Sequence, residues 1–147
     1  MTQANELAVS LLCKDEGFRE TPYYCTEGYP TIGYGFKIGN KHDPLPKTTI
    51  TKQDAHSQLS ETVKGLELLL CGVDGYKECT AARQAILISI AYQIGYVGLL
   101  RFKNMLNAIN KKEWLLASDC MLDSVAARQT PERWSRHAKV MRRGVME

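Results

Sequence analysis

No two of the five cysteines, Cys13, Cys25, Cys71, Cys79 and Cys120, form a Cys-x2-Cys pair, and an odd number cannot all pair with one another. Their scatter argues against a disulfide framework and a structural zinc site, and favours synthesis in a reducing cytoplasm. His42, His56 and His137 are equally dispersed, with no two at metal-ligand spacing. No metal and no cofactor are therefore expected. Apolar runs long enough to span a bilayer are missing too. Residues 7–13 are apolar apart from Ser10, but Lys14-Asp15-Glu16 follows, no basic segment leads in, and the run is far too short for a bilayer. Neither a signal peptide nor a membrane anchor is expected, and no internal repeat or low-complexity stretch is evident.

With 147 residues, 44% hydrophobic and 24% charged, the chain has an ordinary globular composition and length enough to bury roughly 68 to 70% of its unfolded surface. A single, monomeric domain over residues 1–147 is the expectation. The net charge of +3 hides an asymmetry. Residues 1–100 hold 9 Lys and Arg against 11 Asp and Glu, and residues 101–147 hold 10 against 5, so the two parts carry −2 and +5. The basic end suits an anionic polymer such as a cell wall, a membrane surface or nucleic acid. A solvated helical surface accounts for it equally well.

Helical spacing of Ala4, Leu7, Ala8, Leu11 and Leu12, with Thr2 as N-cap and Gly17 as stop, predicts a first helix. Glu16 then ends it. There the negative end of the helix dipole disfavours a charged carboxylate, a useful bias for a proton donor. Over residues 23–36, short aromatic and β-branched runs are punctuated by Gly28, Pro30, Gly33 and Gly35, and Thr26-Glu27-Gly28 predicts a tight turn between two strands. Gly33 and Gly35 would let another backbone or a sugar ring come close. Residues 37–50 read as a loop.

Thr51-Lys52-Gln53-Asp54 predicts a capped helix running to about Leu70 through Ala55, Leu59, Val63 and Leu66. Thr80 precedes a nearly unbroken apolar run over residues 85–92, the mark of a core helix, which Gly95 and Gly98 end. Two further helices are expected around Phe102, Met105, Leu106 and Ile109 and around Trp114, Leu115, Ala117 and Met121. A last one starts at Thr130-Pro131-Glu132, capped by the Thr130 hydroxyl, with Lys139, Arg142 and Arg143 at its C-terminal end before Gly144. This order predicts an α+β fold. A small β-hairpin lobe over about residues 16–50 leads through a connecting helix, about 51–72, to a helical lobe, about 73–147, with residues 1–15 packed on it.

Residues 15–35 place Glu16, Cys25 and Thr31 at the spacing Glu-x8-Cys-x5-Thr. That spacing resembles the catalytic triad of the phage-type lysozyme family, glycoside hydrolase family 24. There an acid ends the first helix, an Asp and sometimes a Cys lies on the following hairpin, and a Thr sits one strand later. The resemblance covers most of the chain, with a shorter loop before the connecting helix. It is carried by Asp15-Glu16-Gly17, Thr26-Glu27-Gly28-Tyr29, Thr31-Ile32-Gly33, Ile50-Thr51-Lys52, Tyr92-Gln93-Ile94-Gly95 and Gln129-Thr130-Pro131-Glu132-Arg133.

The resemblance implies a lysozyme-like two-lobed fold and hydrolysis of the β-1,4 bond between N-acetylmuramic acid and N-acetylglucosamine in peptidoglycan. It further implies endolysin activity in the lysis of a Gram-negative host, with the enzyme held in the host cytoplasm until a holin opens its way to the periplasm and cell wall. By the same resemblance Lys37, Tyr92 and Gln93 line the saccharide cleft, and Arg133 pairs with the catalytic glutamate. Glu27, on the hairpin turn, reads either as a substrate contact or as a solvated turn residue. Two departures are visible. Phe36 stands where members often carry His, and Met105 and Cys120 stand at positions that are polar in the family's cleft.

Glycoside hydrolysis needs a proton donor at the leaving oxygen and a second group that activates water or attacks carbon. Glu16 is the donor. At position 25 a thiol, with an ordinary pKa of about 8.5, leaves only a few per cent thiolate near neutrality. Cys25 reads in three ways: orienting a water together with Thr31, attacking as a thiolate, or filling space. Asp15, Glu20 and Glu27 are the nearby carboxylates that could stand in for it. Other readings are a lytic transglycosylase on the same bond, a thiol hydrolase pairing Cys25 with a histidine, His42 the least implausible, and a non-catalytic wall- or nucleic-acid-binding module using Arg133, Arg136, Lys139 and Arg143. No recognition-helix signature is present, so no specific nucleic-acid partner is expected.

Overall fold

The computed structural model describes residues 1–146. They form two compact units: residues 9–62, and residues 1–8 together with the chain from Val63 onward. The boundaries fall inside the first helix and inside the long second one. The elements are α1 (Gln3–Glu16), β1 (Arg19–Tyr24), β2 (Pro30–Gly33), β3 (Phe36–Lys37), α2 (Lys52–Leu70), α3 (Ala81–Ile94), α4 (Tyr96–Leu100), α5 (Lys103–Asn110), α6 (Trp114–Leu122), α7 (Val125–Gln129) and α8 (Pro131–Arg143). Helices with one small antiparallel sheet make this an α+β fold. Among the described residues no helix is long and apolar enough to cross a membrane.

In the β-containing unit, α1 ends where Gly17 takes a φ of +69°, a conformation that excludes most side chains. The sheet follows in the order β1-β2-β3. Tyr23 lies opposite Thr31, Tyr24 opposite Pro30, Thr31 opposite Lys37, and Ile32 opposite Phe36. The β1–β2 turn closes as expected. Gly28 N–H donates to Cys25 O at 2.9 Å, Cys25 N–H donates to Tyr29 O at 3.0 Å, and Gly28 takes a φ of +87°. This is the three-residue hairpin connection, in which only the third loop residue needs positive φ.

Side chains alternate across a strand, so Tyr23, Cys25, Tyr29, Thr31 and Lys37 share one face of the sheet, while Pro30, Ile32 and Phe36 turn to the other and are buried. Phe18, Tyr34 and Phe36 pack together, with ring centroids 5.6 and 6.4 Å apart. Phe36, at the position where relatives often carry His, is thus a core aromatic. The loop over residues 38–51 is tied back by Tyr24 Oη donating to Asp43 O at 2.8 Å and Ile50 N–H donating to Glu20 O at 3.1 Å. At the start of α2 the expected cap forms, with Asp54 N–H donating to Thr51 Oγ1 at 3.1 Å.

The helical unit is built around α3, whose residues 85–90 are entirely buried. Thr80 caps this helix by accepting from Arg83 N–H, and Gly95 ends it at φ +84°. Gly98, expected to help end α3, lies instead inside the short α4. The helices α4 and α7, five residues each, are not among the expected elements. Thr130 also departs from expectation, because its hydroxyl makes no cap bond to α8. It donates to Ala126 O at 3.2 Å and accepts from Gln93 Nε2 at 3.1 Å.

A buried polar node joins the chain's beginning to this unit. Thr2 Oγ1 accepts from Asn5 N–H, capping α1 as expected, and donates to Glu67 Oε1 at 2.8 Å, while Tyr76 Oη donates to Glu67 Oε2. Glu67 is only 9% exposed, so both of its oxygens need such donors. All five cysteines are free thiols. Burial pushes the Cys79 thiol up to about 11, which leaves it inert at neutral pH.

Candidate active site

Glu16 is the last residue of α1, half-buried, and its carboxyl is pressed against the backbone of Gly35. A Cβ on Gly35 would fall 2.7 Å from Glu16 Oε1, and Gly35 has a φ of +79°. The close approach foreseen at this glycine is therefore made by the carboxyl of the chain's own proton-donor candidate. Gly35→Ala should displace the Glu16 side chain, which is the more flexible partner. The rate of sacculus clearing should fall at least tenfold, against a loss of only about 1–2 kcal/mol in urea unfolding from the strained φ. An alanine variant with full activity would show that the contact does not position Glu16.

Cys25 directly follows β1, half-exposed, with its sulfur within hydrogen-bond reach of the Thr31 hydroxyl. Its thiol feels opposing influences. Burial alone would push it up, but the N–H groups of Tyr29 and Glu27 and the Thr31 hydroxyl together outweigh that and hold it below the ordinary thiol value. Thr31 is 2% exposed and its Oγ1 donates to Tyr29 O at 2.7 Å. A hydroxyl has one proton, so Thr31 offers it either to Tyr29 O or to the Cys25 sulfur. The two backbone donors do not depend on that choice. The hairpin turn thus supplies the anion-stabilising groups, because the bend of residues 26–29 turns the N–H groups of Glu27 and Tyr29 toward the sulfur.

The other expected site residues are distributed as follows. Lys37, opposite Thr31, holds its Nζ 4.1 Å over the Tyr29 ring. Glu27 is exposed on the turn, and its backbone N–H serves Cys25. In the helical unit, Tyr92 and Gln93 are half-buried near the end of α3, and Arg133 is half-buried in the first turn of α8. Both ends of the Gln93 amide are engaged: Nε2 donates to Thr130 Oγ1 at 3.1 Å, and Oε1 accepts from Trp134 Nε1 at 3.1 Å. Met105 is wholly buried and Cys120 half-buried.

Asp15 is half-buried and Glu20 exposed. His42, at φ +68°, lays its ring over Gly28, His56 is exposed on α2, and His137 is fully buried with Nε2 3.4 Å from Ser89 Oγ. Among the described residues no group of three His, Cys, Asp or Glu side chains is placed to hold a metal ion. Tyr23, not singled out in the sequence, is half-buried, two residues before Cys25 and opposite Thr31 in the β1–β2 register.

The sequence profile described as phage lysozyme matches residues 13–143, nearly the whole chain. The chain belongs to the phage lysozyme family. Its similarity extends to "Probable T4-type lysozyme 1" of Dictyostelium discoideum, 27% identical over 159 residues, covering 92% of this chain and 94% of that protein. The pre-baseplate central spike protein Gp5 of Enterobacteria phage T4 is 28% identical over 165 residues, covering 97% of this chain but 29% of that longer protein. "Probable T4-type lysozyme 2" of Dictyostelium discoideum is 23% identical over 160 residues, covering 93% and 94%. Membership of this family makes the protein a glycosidase, a lysozyme-like muramidase.

Proposed function

We propose that this family member is a single-domain endolysin. It would hydrolyse the β-1,4 bond between N-acetylmuramic acid and N-acetylglucosamine in peptidoglycan, with Glu16 as general acid and a water held by Cys25 and Thr31 as nucleophile. The observation that carries the reading is the meeting of Cys25 and Thr31 on one sheet face. Thr31 Oγ1, its proton given to Tyr29 O, has free lone pairs, and the sulfur beside it is the site's second acceptor. Two acceptors side by side bind the hydrogens of a water and leave its oxygen lone pair for the anomeric carbon. Glu16, on α1, would deliver its proton to the leaving oxygen, and the water, as it bonds to the anomeric carbon, would release one proton to solvent.

Glu27, Lys37 and Tyr92 would contact saccharide, and Arg133 would support the site. Gln93, whose amide is spent on Thr130 and Trp134, would act by fixing α3 against α8 rather than by a direct bond to sugar. The basic residues 101–147 would draw the enzyme to the anionic wall. Release from the host cytoplasm through a holin-opened membrane follows from the family resemblance alone.

Water positioning and thiolate attack give opposite results for a set of Cys25 variants. Positioning predicts that Cys25→Asp is at least as active as the parent, that Cys25→Ser keeps a part, and that Cys25→Ala loses about a hundredfold. Loss in all three, with retention of configuration at the released reducing end, would establish covalent attack instead. Mass analysis of digested sacculi tests the reaction itself. Hydrolysis leaves reducing ends one water heavier than the anhydro ends of a transglycosylase, and products carrying only anhydro ends would overturn the assignment. Sacculi that pellet with the protein but are never cleared would indicate a binding module.

A further inference from the structure

Tyr23 lies on the hairpin face that carries Cys25 and Thr31, and it is the strand neighbour of both. It stands two residues before Cys25, which directly follows β1, and it is the cross-strand partner of Thr31 in the β1–β2 register. Residues directly opposite in an antiparallel pair hold their Cβ atoms about 4.5–5.5 Å apart, so the phenol rises from the same patch of sheet. Arg19 packs on its ring, the guanidinium carbon 4.5 Å from the ring centroid.

The hydroxyl senses both candidate reacting groups. Burial first, then the charge of Glu16, and last that of Cys25 raise the Tyr23 phenol above its ordinary value, with Arg19 opposing them. Across the working pH range Tyr23 therefore remains a hydrogen-bond donor. By contrast Tyr24, the next residue, points the other way and gives its hydroxyl proton to Asp43 O.

The water proposed above lacks one thing. Thr31 and the Cys25 sulfur can accept its hydrogens, but sulfur is a weak acceptor and a thiol S–H only a weak donor, and Thr31 donates nothing to the water oxygen once its proton is committed to Tyr29 O. A carboxylate at this position would offer two strong acceptor oxygens and could orient the water unaided. We propose that Tyr23 is a further catalytic residue, its hydroxyl donating a hydrogen bond to the oxygen of the attacking water and so supplying the orientation that Cys25 supplies poorly. One lone pair of the water is then fixed by Tyr23, both hydrogens are fixed by Thr31 and Cys25, and the remaining lone pair faces the sugar.

This inference rests on the assignment of Glu16, Cys25 and Thr31. Tyr23→Phe removes one oxygen and keeps the ring under Arg19, so folding should be undisturbed. Turnover on sacculi should fall about tenfold with KM unchanged. In the Cys25→Asp background, where a carboxylate holds the water unaided, the same substitution should cost less than about twofold. A structural role would cost the same in both backgrounds. Equal losses, or parental turnover of Tyr23→Phe in the Cys25 protein, would overturn the inference. Activity surviving Glu16→Gln would instead remove the underlying assignment, so the two failures are separable.

Discussion

Glu16→Gln is expected to lower the rate of sacculus clearing by about a thousandfold while the protein folds and unfolds as before. The amide copies the shape of the carboxyl, so its place against Gly35 at the end of α1 is kept. What is lost is the transferable proton, and a positioned general acid contributes on the order of 10²–10⁴ to the rate. Stability should move little, because the amide fills the place of the carboxyl. Turbidity of permeabilised cells and a thermal melt on the same preparation check both halves. Clearing within tenfold of the parent would end the assignment of Glu16 and with it the site as described.

Arg83→Ala should give the largest loss of stability, about 3–4 kcal/mol, with little direct effect on chemistry. Arg83 is 8% exposed and closes the end of α8 from α3: its Nε donates to Met141 O at 2.7 Å and its Nη2 donates to Arg142 O at 3.0 Å. The guanidinium lies 3.7 Å from the Trp114 ring centroid, so one side chain binds α3, α6 and α8 together. Helices leave their last carbonyls unpaired, and the dipole there welcomes a cation. Burial lowers the pKa of the guanidinium, with the nearby Cys79 acting the other way, yet an arginine remains charged at any working pH. Charge-assisted bonds to neutral acceptors contribute about 1.5–3 kcal/mol each, and truncation would strand both carbonyls. Gly144 belongs to the same device, since a Cβ there would fall 2.8 Å from Arg83 Nη1. Urea unfolding measures the effect, and Arg83→Lys, which cannot fork, should recover less than half of it. A loss below about 1 kcal/mol for Arg83→Ala would show that water replaces the guanidinium at no cost.

The elements that could be read in advance are those with local punctuation. Thr2, Thr51 and Thr80 cap the helices they precede, and Gly17, Gly95 and Gly144 end the helices they follow. Such signals act within four residues, which is why they survive in the sequence. By the same reasoning α4 and α7 were invisible. Five residues are too few for a hydrophobic period to show, and their existence depends on what they pack against. Thr130 illustrates the limit from the other side. Its context promised a cap, but the Gln93 amide, distant in sequence, takes the hydroxyl in the folded chain.

The candidate site divides in the same way. Glu16, Cys25 and Thr31 lie within one short segment, and the alternation of a strand about a tight turn is enough to put Cys25 and Thr31 on one face. The sequence alone therefore determined the helix end that carries the acid, the hairpin that carries the thiol and hydroxyl, and the family. Only the tertiary structure decided that Glu16 rests on Gly35, that Gln93 is consumed by Thr130 and Trp134, and that an Arg83 buried beneath Trp114 closes α8. Each of these is a contact between chain segments far apart in sequence, so it is chosen by close packing and by the need of buried polar groups for partners. No local pattern encodes that choice.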